Sequence, residues 1–449
     1  MSNIKDYQKL LNMGIQEFCI GGYKSFYEEC KLEIKPLTIL AGPNSTGKSS
    51  VMQPLLLMKQ TLEESYDPGT LLLNGPNVKF TKSEQLLYKN TRLGLESDFF
   101  SVGIKCNGEE FTKLSYKKRT PGFRISEMFY LNSGQNLAIK QGMNSDELKE
   151  ILPKEFLETY YPERITKDCV FSVERERCFL KIVGKVSIGD SNSLIELISF
   201  PLSGLSREIR SIIHLPGLRG NPERNYPTTS LDSDLGRFVP GTFEKYVASI
   251  IVNWQENNPR KINSLNNYLR KIGLTKKIAA KYINDTEVGL YVTSSLNDID
   301  EDLVSIADVG LGVSQTLPIL VALLFAEKGQ IVYIEQPEIH LHPRAQFELA
   351  SIIAEASNRG VKVVIETHSS LFLRGLQTVI ALKKLPKELT KIHWFSKRKD
   401  NGITEVHSVD FDDNGAFGDW PEDFDNVEYY AEQKYLDAVE KNYIEGNFN

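Results

Sequence analysis

Apolar and polar positions alternate over short distances at the start of the chain. FCIGGYKSF, from residue 18, and KLEIKPLTILAG, from residue 31, each predict β-structure; the second runs into a glycine-containing loop and then an apolar-periodic helix beginning near Lys48. From about 93 to 118, FFSVGIKC and EEFTKLSYKK predict an antiparallel β-flank. Between 120 and 290, helical periodicity (SDELKEILPKEFLETYY, TFEKYVASIIVNWQEN, INSLNNYLRKIGL) mixes with short strands such as CFLKIVGKV, and no apolar heptad is sustained. That pattern predicts a compact inserted lobe rather than long coiled-coil arms. From Ile306 the order becomes α/β again: a helix over 315–326, a strand over 331–334, a helix over 344–358 and a strand over 361–365. A short acidic tail follows residue 399, with one strand-like stretch (ITEVHSVDF) and one helix-like stretch over 423–441.

The pattern predicts an α/β head assembled from both ends of the chain, with a β-rich flank and a mixed α/β lobe inserted between them. The divisions fall at 1–119 for the first part of the head, 120–290 for a mainly helical insertion, 291–399 for the second part of the head, and 400–449 for a C-terminal extension. A length of 449 residues suits two folded units, or one head with a large insertion.

Composition narrows the function classes only modestly. Hydrophobic residues at 41% and charged residues at 25% are ordinary for a globular protein, and no low-complexity block interrupts them. The formal net charge of -6 gives no overall attraction to nucleic acid, although a local basic groove fits within that total. The apolar runs at 55–58 and 317–326 fall short of the roughly 20 residues that cross a bilayer. The start MSNIKDYQKL lacks the features of a secretory signal, so the expected location is the cytoplasm, with no membrane partner. Five cysteines without a CxxC pair argue against a disulfide framework and a zinc site.

The sharpest chemical signal is Gly42-Pro43-Asn44-Ser45-Thr46-Gly47-Lys48-Ser49, which fits GxxxxGK[ST] between a predicted strand and a predicted helix. In such a loop the glycines let backbone N–H groups of residues 44–50, through Ser50, face phosphate oxygens. Lys48 reaches the β- and γ-phosphates, and the Ser49 hydroxyl can ligate Mg²⁺. The metal also needs a carboxylate at the end of a neighbouring strand, and the apolar run 331–334 ends in Glu335.

Taken in order, the P-loop, DVGLGVSQ at 308–315, EQPEIHLHP at 335–343 and ETHS at 366–369 resemble the motif series of SMC/RecF/OLD-like ABC-type ATPases. The opening IGGYKSF at 20–26 is similar to the same group's first strand and basic loop. The resemblance covers roughly 14–60 and 303–375. It implies ATP and Mg²⁺ as cofactors and a dimer that closes around shared nucleotide. Gly310, Gly312 and Ser314 would then be the signature that meets the γ-phosphate held by the other protomer, and His368 the switch histidine. Read from the residues alone, the alternatives are that the 310–314 run is a loop before a capped core helix and His368 a structural strand-end histidine. His340 and His342 would fall near the dimer-contacting loop.

One position departs from the pattern. Many relatives carry a catalytic glutamate after the metal acid, whereas this chain has Gln336, which can orient a water but cannot take its proton. Hydrolysis is then slow, or relies on Glu338, or gives way to ATP binding as the regulatory event. Lys24 suits either a phosphate or nucleic-acid contact or a solvated surface position. The tail SVDFDDNGAFGDWPEDF resembles a short extension on one bacterial subgroup. Its acids Asp410, Asp412 and Asp413 invite a nuclease reading, against which about forty residues leave too little chain for a nuclease domain.

Resemblance to the ATPases of antiphage systems such as Septu and PARIS implies a homodimer or higher homo-oligomer that regulates a nuclease or toxin effector. The competing expectations are a DNA-maintenance ATPase that binds nucleic acid directly, and a scaffold that binds ATP with little hydrolysis.

Overall fold

In the computed structural model, residues 2–132, 135–152, 169–187, 194–199, 203–229, 237–293, 302–418 and 432–440 are described. The head is built on a six-stranded sheet whose order is Ile213–Leu215, Ile331–Glu335, Lys362–Thr367, Leu37–Ala41, Thr390–Lys397 and Thr404–Val409. The first five strands run parallel and the last is antiparallel to its neighbour. Parallel strands need crossovers that cover both faces of a sheet. Accordingly, Ile39, Val332, Ile334, Val363 and Ile365 pack into one core, and Leu40, Tyr333, Val364 and Phe395 into the other. Period-two alternation within apolar strands therefore feeds two cores.

The first core lies under the helices Val247–Asn257, Leu311–Phe325, Pro343–Asn358 and Ser370–Ala381. The second joins the P-loop helix Lys48–Glu63 to an antiparallel sheet in the order Cys30–Glu33, Ile15–Gly21, Phe99–Cys106, Glu110–Lys118, Phe123–Asn132 and Gln135–Lys140. The β-flank expected from the alternation at 93–118 is this sheet, and it extends well past residue 119.

Residues 120–290 differ from a mainly helical insertion. They supply two strands of the flanking sheet, the edge strand Ile213–Leu215 of the central sheet, and the three-stranded sheet Val170–Glu176, Phe179–Ser187 and Leu194–Ser199. The hairpin Ile278–Asn284 with Glu287–Thr293 belongs to a further small sheet. The helices Val247–Asn257 and Pro259–Lys271 do form, but their apolar faces are spent on the head's own core. The physical reason is that strand Ile331–Glu335 needs a neighbour on its outer side, and the middle of the chain provides it.

The expected helix from 145 is seen as Ser145–Ile151, and its continuation over 153–168 lies outside the described residues, as does 423–431 of the tail. No helix among the described residues is long and apolar enough to cross a membrane.

Candidate nucleotide site

The loop after strand Leu37–Ala41 is shaped by backbone conformation. Gly42 and Gly47 have φ of 139° and 103°. A Cβ at Gly42 would lie 2.2 Å from the Phe395 carbonyl oxygen, and one at Gly47 would lie 2.6 Å from Ser25 Oγ. Only glycine fits either place. Ser45, between them, also sits in the left-handed region at φ 62°. Thr46 Oγ1 donates to the Pro43 carbonyl at 2.8 Å, and Thr404 Oγ1 donates to the Thr46 carbonyl at 2.9 Å, tying the loop to the last strand of the sheet.

The helix that follows begins at Lys48 with no side-chain cap. Its first N–H groups are therefore open to an anion, with the positive end of the helix dipole behind them. Lys48 is almost fully buried and donates to the Pro43 carbonyl at 2.6 Å. Burial lowers its pKa, and the Glu366 carboxylate opposes that shift. A cavity of about 420 Å³ lies over this loop: Asn44, Ser45 and Gly47 through Ser50 supply one side, and Gln336, Glu366 and His368 the other. Six of the residues read from the P-loop motif thus share one cavity with Gln336 and His368.

Two carboxylates end neighbouring parallel strands, with Glu335 in register with Glu366. The Ser49 hydroxyl donates to Glu366 Oε1 at 2.8 Å, and the Tyr333 hydroxyl donates to Oε2 at 3.2 Å. Burial raises the Glu366 pKa; the Ser49 hydrogen bond pulls it back and the nearby Glu335 charge adds to the rise. Glu335 faces another way. His214 Nε2 lies 3.1 Å from its Oε1, and the Gly217 N–H donates to its Oε2 at 3.2 Å. Burial pushes the Glu335 carboxyl up, but His214, Gly217 and Tyr333 together hold it below the usual range. The acid touching the Ser49 hydroxyl is thus Glu366. It stands at the end of an apolar strand in the same way as Glu335, and the reasoning that singled out Glu335 applies to it unchanged.

Gln336 has φ 44° and lines the cavity, with its N–H donating to the Glu366 carbonyl at 2.8 Å. Glu338 is placed differently: its Oε1 accepts from the His368 N–H at 2.8 Å and from Thr367 Oγ1 at 2.9 Å. It orders the turn that carries His368. The His368 ring lies against the loop, where burial and the Lys48 charge lower its pKa and a hydrogen bond to the Gly42 backbone opposes them. The net shift favours the neutral imidazole.

Two functional candidates went unread in the sequence, His214 and Arg219. Arg219 is 7% exposed, and its guanidinium donates to four carbonyls: Pro216 at 3.1 Å, Gln315 at 2.7 Å, Glu335 at 3.2 Å and Gln336 at 3.2 Å. His214, also buried, stacks on Tyr333 with ring centroids 5.3 Å apart. The only local hint was the Gly- and Pro-rich run PGLRGNPERNYP directly after a short apolar strand.

Comparison with known families now bears on this geometry. The model described as "AAA ATPase domain" matches residues 13–172, which include the P-loop. The model described as "AAA domain, putative AbiEii toxin, Type IV TA system" matches 241–374, which include the signature run, the acid strand and His368. The chain is a P-loop ATPase.

Among solved structures, this ATPase is similar to an SMC head bound to the C-winged helix domain of ScpA (12% identity, 88% of this chain and 98% of that one, TM-score 0.47). It is also similar to the SMC head domain from Thermotoga maritima (12%, 88% and 99%, TM-score 0.40). A third is the Pyrococcus furiosus Smc head with an extended coiled coil, bound to the C-terminal domain of ScpA (10%, 88% and 96%, TM-score 0.44). No curated protein matches the chain.

In the ATPase the signature run stands apart from the cavity. Gly310 is exposed and precedes the helix Leu311–Phe325, which has no side-chain cap. Ser314 Oγ donates back to the Leu311 carbonyl at 3.1 Å. Gly310, Gly312 and Ser314 do not line the P-loop cavity.

Lys24 is half-buried, its Nζ 4.5 Å from the centroid of the Phe80 ring, and burial lowers its pKa to about 8. It is neither a freely solvated lysine nor part of the cavity lining. His342 Nδ1 accepts from the Arg344 N–H at 3.4 Å at the start of its helix. In the tail, Asp410 is ion-paired with Lys35 and Lys391, Asp413 pairs with Lys387, and Asp412 Oδ1 accepts the N–H groups of Asn414 and Ala416. Phe411 and Phe417 are buried against the first core. These acids serve a capping segment.

Proposed function

We propose that the ATPase binds ATP with Mg²⁺ in the P-loop cavity and closes as a dimer in which each signature helix completes the partner copy's nucleotide site. The observation that carries this reading is that two helices whose starts carry motif residues, at Lys48 and Leu311, both begin without a side-chain cap, and only the first borders the P-loop cavity. Each suits a phosphate anion, and the second needs one supplied from outside.

The residues fit the nucleotide and its metal. Gly42 and Gly47, with positive φ and close approach to Phe395 and Ser25, let the loop curl so that its N–H groups can meet phosphate oxygens. Lys48 would exchange the Pro43 carbonyl for phosphate oxygens. Ser49 and Glu366 would hold the metal, with Glu335 behind them fixed by His214. The metal and nucleotide, when bound, supply the charge that draws these groups together.

For turnover, Gln336 can orient a water toward the γ-phosphate but cannot accept its proton, which supports slow hydrolysis and a switch-like use of ATP. Glu338 Oε1 holds the His368 turn while its buried Oε2 has no hydrogen-bond partner among the described residues, and its place in this reading is to position the histidine. ATP can favour the closed dimer only through contacts that exist in that state, and the signature supplies them.

Closure of the dimer regulates an effector protein. Support for this is the motif order of the sequence and the family model over 241–374, whose description names a toxin system. A nuclease or toxin encoded nearby is the partner it implies.

Light scattering with and without ATP and Mg²⁺, on wild type beside Lys48→Ala, with phosphate release followed in parallel, tests the core of the reading. A mass that doubles with ATP only in wild type supports it; a monomer indifferent to ATP sinks it. Capture of a neighbouring gene product, together with an effect on phage plating, tests the effector.

A further inference from the structure

We propose that residues 214–224 form an internal relay, with Arg219 at its hub, that couples the nucleotide cavity to the signature helix of the same protomer. The inference rests on reading 310–314 as the signature.

The relay has two clasped ends. Toward the cavity, the Gly217 N–H holds Glu335, and Arg219 holds the carbonyls of Glu335 and Gln336, the residue that lines the cavity in a left-handed backbone conformation. Toward the signature helix, the same guanidinium donates to the Gln315 carbonyl at 2.7 Å, and Gln315 Nε2 returns two bonds, to the carbonyls of Arg219 at 3.0 Å and Gly220 at 2.9 Å. Pro318 has no N–H to offer the Ser314 carbonyl, so the first turns of this helix lean on outside partners. Farther along, Arg224 grips Asp308, two residues before Gly310, with two bonds of 2.6 and 3.0 Å.

A guanidinium is a rigid fork. Arg219 is buried and spends its donors on three separate segments, so a shift of the Glu335–Gln336 backbone cannot be absorbed locally. It must move the fork, and the fork is bonded to Gln315. Packed interiors convert such shifts into discrete rearrangements rather than damping them. A passive staple needs only one partner on each side; the reciprocal bonds between Gln315 and residues 219–220 fix orientation as well as distance. Lysine, a point charge with a flexible stem, cannot reproduce the arrangement. In a closed dimer, the state of one cavity would thereby set the geometry of the signature offered to the other.

The test is hydrogen exchange on the full chain with and without Mg²⁺ and a non-hydrolysable ATP analogue, with light scattering on the same samples. In wild type, nucleotide slows exchange both at 42–52 and at 306–318. In Arg219→Lys, and in Arg224→Gln, whose exposed side chain can be changed without threatening the fold, protection at 42–52 persists while the effect at 306–318 falls by about tenfold. Undiminished protection at 306–318 in both variants overturns the relay, as does its absence in wild type. If wild type transmits the signal yet stays monomeric, the dimer reading fails and the relay stands; if the variants dimerise with wild-type protection at 306–318, the reverse holds.

Discussion

Ser49 and Glu366, 317 residues apart in sequence, share a hydrogen bond of 2.8 Å at the mouth of the P-loop helix. The bond places a carboxylate against the hydroxyl that a P-loop offers to Mg²⁺, on the strand between the P-loop strand and the one ending in Glu335. Glu366→Gln should therefore weaken Mg²⁺-dependent nucleotide binding by about 10- to 100-fold, while metal-free nucleotide binding changes little. Titration with Mn²⁺, read by its paramagnetic resonance with and without nucleotide, checks this. Glu335→Gln is the comparison, and a larger loss there than at Glu366 would return the leading role to Glu335.

Gln336 has its backbone fixed by the Glu366 carbonyl and by Arg219, and its side chain lines the cavity. Gln336→Glu keeps the shape and adds a group able to accept a proton. If hydrolysis is slow for want of a base, phosphate release in the variant should rise by about tenfold or more, within the usual contribution of general-base catalysis. An unchanged rate would mean that another group positions the water, or that chemistry does not limit turnover.

The separation of the two helix N-termini makes a prediction about mixtures. Lys48→Ala disables the cavity and Ser314→Arg the signature, each leaving the other element intact. Either variant alone should be nearly inactive in phosphate release. An equal mixture should recover activity, up to about half of wild-type turnover, because neither variant closes by itself and each mixed dimer carries one complete composite site. No recovery, with exchange of protomers verified, would place the signature outside the reaction.

How much of this was legible depended on distance along the chain. The P-loop strand, loop and helix are local, and their glycines and periodicity announce them; the same holds for strand Ile331–Glu335 and the His368 turn. The relay is not local: apart from Pro216, the carbonyls that Arg219 holds lie 96 to 117 residues away, and an arginine among glycines and prolines reads as solvated. His214 occupies a strand of only three residues, too short for any period to register. Glu366 was visible but assigned to the ETHS run, although IVYIE and VVIE end alike. The 120–290 stretch misled because the apolar face of an inserted helix looks the same whether it packs on its own lobe or on the head.

Lys362 carries the remaining prediction. It lies within the central sheet, wholly buried, and its Nζ donates to the carbonyls of Ile15 at 2.7 Å and Ile34 at 3.2 Å, joining that sheet to the flanking one. Burial lowers its pKa to about 7, against weaker opposing pulls from Glu208, Cys106 and Glu33. In the unfolded chain a lysine titrates near its usual value of about 10.4. Below pH 7 both states hold the proton and the group gives no slope. Between pH 7 and about 10 the unfolded chain binds more protons, so this group's contribution to stability rises with pH, by at most about 1.4 kcal/mol per unit. Lys362→Met removes that titration and leaves two carbonyls unpaired. The urea midpoint of wild type relative to the variant should therefore climb from pH 7 to 9 and lie flat from pH 5.5 to 6.5. A difference constant across both ranges would mean that the two carbonyls keep the ammonium charged in the folded state, and that this lysine fastens the sheets at every pH.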